Sequence, residues 1–125
     1  MLAGEKDLQG AVAAVARAIE VSPSHYEAWL LRADLARASG DSAASGTAYR
    51  KAIEIKPKDV QGRVGLASLL VASGAFDDAK VQLDELRKIA PTHQMVNYLQ
   101  AMVEFRKGNH AAARDAVLLV LKVAP

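Results

Sequence analysis

The prolines of this chain stand at Pro23, Pro57, Pro91 and Pro125, each 34 residues from the next. Proline donates no backbone hydrogen bond, and its ring clashes with a preceding helical turn, so it stops helices. A helix stop recurring at one fixed interval marks a single supersecondary unit copied along the chain. Such copies cannot bury their apolar faces alone and must stack in a row.

Other positions repeat on the same interval. Gly40, Gly74 and Gly108 coincide, as do the small residues Ala11, Ser45, Ala79 and Ala113. Val15, Tyr49, Leu83 and Val117 form a larger apolar column, Ala18, Ala52, Leu86 and Val120 another, and Ala33, Ala67 and Ala101 a third of small residues. Each unit divides at its glycine into two stretches of helical length. Trp29, Ala33 and Ala36, then Ser45, Ala48, Tyr49 and Ala52, follow helical apolar spacing. The pattern predicts helices over roughly 7–21, 25–38, 42–55, 59–72, 76–89, 93–106 and 110–123, from the proline and glycine marks. Glycine suits the left-handed residue that ends a helix. Ser24 with Glu27 reads as a capping box, Asp59 and Thr92 as caps near the equivalent starts, and Asp41 and Asn109 as caps after their glycines. Ala75 is a poor cap. Lys51, Lys56, Arg87, Lys88 and Lys122 gather near second-helix ends, where they oppose the helix dipole.

The columns resemble the tetratricopeptide repeat. The period, the central glycine, the small-then-apolar pairs (Ala79 with Leu83, Ala113 with Val117, Ala11 with Val15), Trp29 with Ala33, and the closing proline carry the likeness. Arg32, where the family prefers leucine, and Arg63 and Asn97, in the column of Trp29, depart from it and are expected to weaken individual helices. The resemblance implies an all-α, right-handed superhelix of about 3.5 repeats and seven helices, in one domain over 1–125. Residues 1–23 would be the second helix of a partial repeat, and 24–57, 58–91 and 92–125 full repeats. Segments such as 33–37, 48–53 and 96–101 also resemble the large bacterial tetratricopeptide proteins of exosortase and PEP-CTERM sorting systems. That likeness implies an excerpt of a longer array, placed in the periplasm or cell envelope. Without it a cytoplasmic setting is expected.

Chemistry is sparse. Cysteine is absent, which removes disulfides and thiolate metal ligands. A net charge of +2 is too small to announce nucleic-acid binding, which needs cations gathered on one face. Apolar runs are interrupted by Arg17 and Lys122, far short of the ~20 residues that cross a bilayer. His25, His93 and His110 fall at helix starts without metal-ligand spacing, His110 reading as a half-buried packing residue. Asp77-Asp78 and Asp84-Glu85 read as solvated faces of second helices. Gly62 and Gly65 lack the strand and the lysine of a phosphate loop, and read as relief for crowded helices. The sequence therefore predicts no enzyme, no cofactor and no metal.

The expected working surface is a groove lined by the first helix of each repeat. Its lining would be Glu27, Leu30, Asp34 and Arg37, then Val64, Ser68 and Val71, then Met95, Tyr98, Met102 and Phe105. It grades from charged to apolar and aromatic, and methionine and aromatic side chains adapt to irregular apolar partners. A peptide or protein is the expected partner. A clamp for a terminal carboxylate is excluded, since Leu30, Asp34, Gly65, Met95 and Leu99 stand where its cations would be. The last helix carries Val117, Leu118 and Leu121 on more than one face, which predicts self-association there into a homo-oligomer. The competing reading is a spacer segment of a longer array with no ligand of its own.

Overall fold

The computed structural model describes residues 2–123; Pro125 lies outside the described residues. Seven α-helices and no strand occur among them: α1 (Leu2–Val21), α2 (Tyr26–Ala38), α3 (Ser42–Ile55), α4 (Val60–Ala72), α5 (Phe76–Ile89), α6 (Gln94–Arg106) and α7 (His110–Val123). The sequence marks place these helices to within a residue, apart from the start of α1, which lies five residues earlier. The chain divides into two compact units, residues 1–62 and 63–125, with the boundary inside α4.

In the first unit, Val15 and Ile19 of α1 meet Ala28 of α2, and Trp29 and Leu35 close over them. The Trp29 indole N–H donates to the Pro23 carbonyl at 2.7 Å, which ties the aromatic to the periodic proline. Arg32, a departure from the repeat pattern, lies outside the core. It is exposed, and its guanidinium lies 5.5 Å from the Trp29 ring centre, an arrangement that leaves the charge in water. Between α2 and α3 the small columns meet: Ala33 and Ser45 are fully buried, and the Ser45 hydroxyl donates to the Ala33 carbonyl at 2.9 Å. The helices approach closely there, and the buried hydroxyl is satisfied. Gly62, in the first turn of α4, shows the same economy. A Cβ there would stand 3.3 Å from Ile53 Cγ1, so the expected relief of crowding is real at this glycine.

In the second unit the period becomes a buried stripe. Leu66 and Ala67 of α4, Ala79, Leu83 and Leu86 of α5, Val96, Leu99 and Val103 of α6, and Ala113 and Ala116 of α7 are all buried. Each large side chain so buried stabilises by about 1.5–3 kcal/mol. Arg63 donates to Gln82 at 3.0 Å, which accommodates its charge in the column of Trp29.

The punctuation works as the sequence implies at the glycines. Gly40, Gly74 and Gly108 adopt φ of 84°, 81° and 86°, a left-handed backbone that a side chain would strain. At the first of these, Asp41 N–H closes back on the Ala36 carbonyl at 2.9 Å. Asp41 caps α3 through Ala44 N–H, and Ala75 makes no side-chain cap. The opening caps differ from expectation. His25, not Ser24, caps α2, its Nδ1 accepting from Ala28 N–H at 3.1 Å. His93, not Thr92, caps α6, accepting from Met95 N–H. Asp59 accepts from Gln61 N–H at 3.1 Å. Asp59 is the cap the sequence names, while at 25 and 93 the cap falls one residue later than expected and an imidazole nitrogen takes the place of a hydroxyl oxygen. The basic residues also divide. Arg87 and Lys88 occupy the last turn of α5, but α3 has none there. Lys56 instead reaches Glu27 at 3.8 Å and lies over the Tyr26 ring.

A candidate peptide-binding surface

Helical spacing puts Met95, Tyr98, Met102 and Phe105 along one face of α6. Met95 is 37% exposed, Tyr98 48% and Phe105 61%, and Met102 is half-buried. Three of them continue into a cleft between α6 and α7 of about 580 Å³, whose far wall is His110, Ala113, Arg114, Val117 and Leu118. His110 is exposed rather than half-buried. Its ring stacks on Phe105 with centres 5.5 Å apart, so the two make one broad aromatic floor. The lining is almost wholly apolar, with the Arg114 guanidinium at its rim and an Asp115 carboxylate 3.4 Å from it.

The remaining predicted groove residues have other surroundings. Glu27, Asp34 and Arg37 are exposed and Leu30 half-buried. Glu27 lies 3.6 Å from His25 as well as near Lys56. Asp34 accepts from the Tyr49 hydroxyl at 2.5 Å. Burial first, and then that hydrogen bond, push the Tyr49 phenol up to about 12. Tyr26 is likewise pushed up to about 12, by burial and then by its bond to Asp59, while its oxygen accepts from Gly62 N–H. Val64 and Ser68 are half-buried, and Val71 is only 3% exposed. The carbonyls of Val71 and Ala72 receive Arg106, whose guanidinium stands over Phe76 at 5.2 Å. Sequence reasoning did not assign His110 or Arg114 to a binding surface. The signal was the column of His110 with Phe76, which puts an aromatic ring at the hairpin's mouth.

No group of three or more His, Asp or Glu side chains suited to a metal ion occurs among the described residues. No described helix is long and apolar enough to cross a membrane.

Two tetratricopeptide repeat models match, one over residues 3–60 and the other over residues 36–103. The chain belongs to the tetratricopeptide repeat family, and its fold is an all-α tetratricopeptide solenoid. The crystal structure of MamA is similar, with a TM-score of 0.85 at 16% identity over 98% of this chain and 71% of that one. MamA 41-end from Desulfovibrio magneticus RS-1 gives 0.83 at 15% identity, over 98% and 69%. YrrB, titled a TPR protein with an unusual peptide-binding site, gives 0.54 at 16% identity, over 99% and 81%. At these identities the likeness concerns the fold. No curated protein matches the chain.

Proposed function

We propose that the chain is a non-enzymatic protein-interaction scaffold that binds a peptide or protein segment on its first-helix surfaces, chiefly along α6. The observation that carries this is the row of exposed Met95, Tyr98 and Phe105 opening into an apolar cleft. Aromatic anchors in such a setting dominate binding energy, each worth about 2 kcal/mol or more when truncated. Family membership and a neighbour whose title names a peptide-binding site support the same reading. The resemblance to envelope-borne arrays extends it to bacterial export or exopolysaccharide systems, for which further units encoded beyond residue 125 are the expected finding.

A displayed peptide library separates this from a bare spacer. Binders are expected, and Tyr98→Ala or Phe105→Ala should weaken them at least ~10-fold. A library without binders, or binders indifferent to both substitutions, favours the spacer.

One observation favours self-association as a second activity. Val117 is 44% exposed, Leu118 53% and Leu121 64%, all on α7. Mass should then rise with concentration in light scattering, and Leu118→Glu should suppress the rise by placing a charge in a desolvated contact. A monomer at every concentration removes this activity.

A further inference from the structure

The starts of α4 and α6 share one construction with a different accepting atom. Asp59 Oδ1 accepts from Gln61 N–H at 3.1 Å, and one period later His93 Nδ1 accepts from Met95 N–H at 3.2 Å. His25 Nδ1, two periods before His93, accepts from Ala28 N–H at 3.1 Å. A neutral imidazole accepts at Nδ1 only while Nε2 carries its proton, so the next proton goes onto the capping atom itself. The acceptor then becomes a donor facing another donor, and a positive charge stands at the positive end of the helix. A carboxylate at the same place stays ionised until about pH 4.

The two histidines differ in their company. His25 Nδ1 lies 3.6 Å from Glu27, whose carboxylate also meets Lys56 at the end of α3, at 3.8 Å. Asp59, at the start of α4, is engaged by the Tyr26 hydroxyl. A protonated His25 therefore exchanges its cap for an ion pair with Glu27. Two periods on, Glu27 becomes Met95, and His93 has no such acid. The cations at the end of α5, Arg87 and Lys88, are paired with Asp84 and Glu85. No charged side chain lies within ion-pair distance of His93 among the described residues.

We propose that His93 is a pH-sensitive cap: its neutral imidazole holds the first turn of α6 closed, and its protonation in mild acid opens that turn. The unfolded chain takes up the same proton without losing a cap, so stability falls as pH falls. Imidazoles ordinarily titrate at about pH 6.5, which puts the change roughly between pH 7.5 and 5.5. The start of α4, capped by a carboxylate, stays closed over this range. Met95 lies in the turn that opens and on the face assigned to peptide binding. The switch thus stands at one end of that face, a consequence that alone rests on the interaction reading.

Urea unfolding of the whole chain at about pH 7.5 and 5.5 tests the cap through two variants. His93→Ala removes the acceptor at both pH values, and His93→Asn keeps one that does not titrate. At the higher pH the folding equilibrium of His93→Ala should be about fivefold less favourable than that of the wild type, the effect of one lost cap, and at the lower pH the two should coincide. His93→Asn should match the wild type at the higher pH and exceed it about fivefold at the lower. Amide hydrogen exchange, corrected for intrinsic rates, locates the change. Val96 and Asn97 should lose protection in acid relative to residues 99–103 of the same helix, and Gln61 in the first turn of α4 should not. A deficit of His93→Ala that is the same at both pH values overturns the proposal. So does an acid loss in His93→Asn as steep as in the wild type, or an equal loss of protection at Gln61.

Discussion

Leu83→Ala is expected to destabilise the fold by about 2–5 kcal/mol, the range for emptying a buried leucine site. Leu83 is fully buried in the middle of α5, on the stripe that includes Ala79 and Leu86. The interior of this unit also contains Ala67, Ala79 and Ala101, at 0%, 0% and 4% exposure. Alanine has no rotamers with which to refill a void, so the cavity should persist and the cost should fall in the upper part of the range. Val81 lies on the same helix at 58% exposure and serves as the control. Val81→Ala should change stability by less than about 0.5 kcal/mol. Urea unfolding measures both, as a shift in midpoint at constant slope. Equal shifts for the two variants would contradict the interior position of Leu83.

The second large effect is alkaline. Tyr26 and Tyr49 both titrate near 12 in the folded chain, against an ordinary value of 10.0, with burial as the leading cause in each. Between these values the unfolded chain has released the phenolic protons while the folded chain retains them. The unfolded state then binds fewer protons, so stability falls as pH rises. The stabilisation is complete below pH 10 and is lost as pH climbs through 12. The thermal midpoint should be level toward pH 10 and drop steeply above it. Tyr49→Phe should cost about 1 kcal/mol at neutral pH, through the lost bond to Asp34, and should flatten part of the alkaline fall. A variant whose midpoint declines as steeply as the wild type above pH 10 would show that Tyr49 does not contribute.

The sequence is unusually explicit about this architecture because punctuation and packing repeat together. A proline stop, a glycine that tolerates positive φ and a small residue at each helix crossing act locally, so the boundaries follow from single residues. The candidate surface was partly legible for the same reason: the positions of Met95, Tyr98, Met102 and Phe105 on α6 follow from helical spacing alone. The rest was not. His25 and Ser24 are adjacent, both can accept a hydrogen bond, and only the backbone path selects the imidazole. Asp34 looks like an open groove acid until Tyr49, 15 residues later, brings its hydroxyl to the carboxylate. Arg32 looks like a flaw until Trp29 turns its ring beneath the guanidinium.

By itself the sequence determined the period, the seven helices, the family and the apolar character of the last unit, since these depend on residue type and interval. Only the tertiary structure decided which side chains meet: Arg106 on Phe76, His110 on Phe105, and Val71 drawn inside while Phe105 stays out. Periodicity fixes the face of a helix on which a residue lies. Exposure and partnership depend on what the neighbouring helix sets opposite that face, and an interval along the chain does not contain that information.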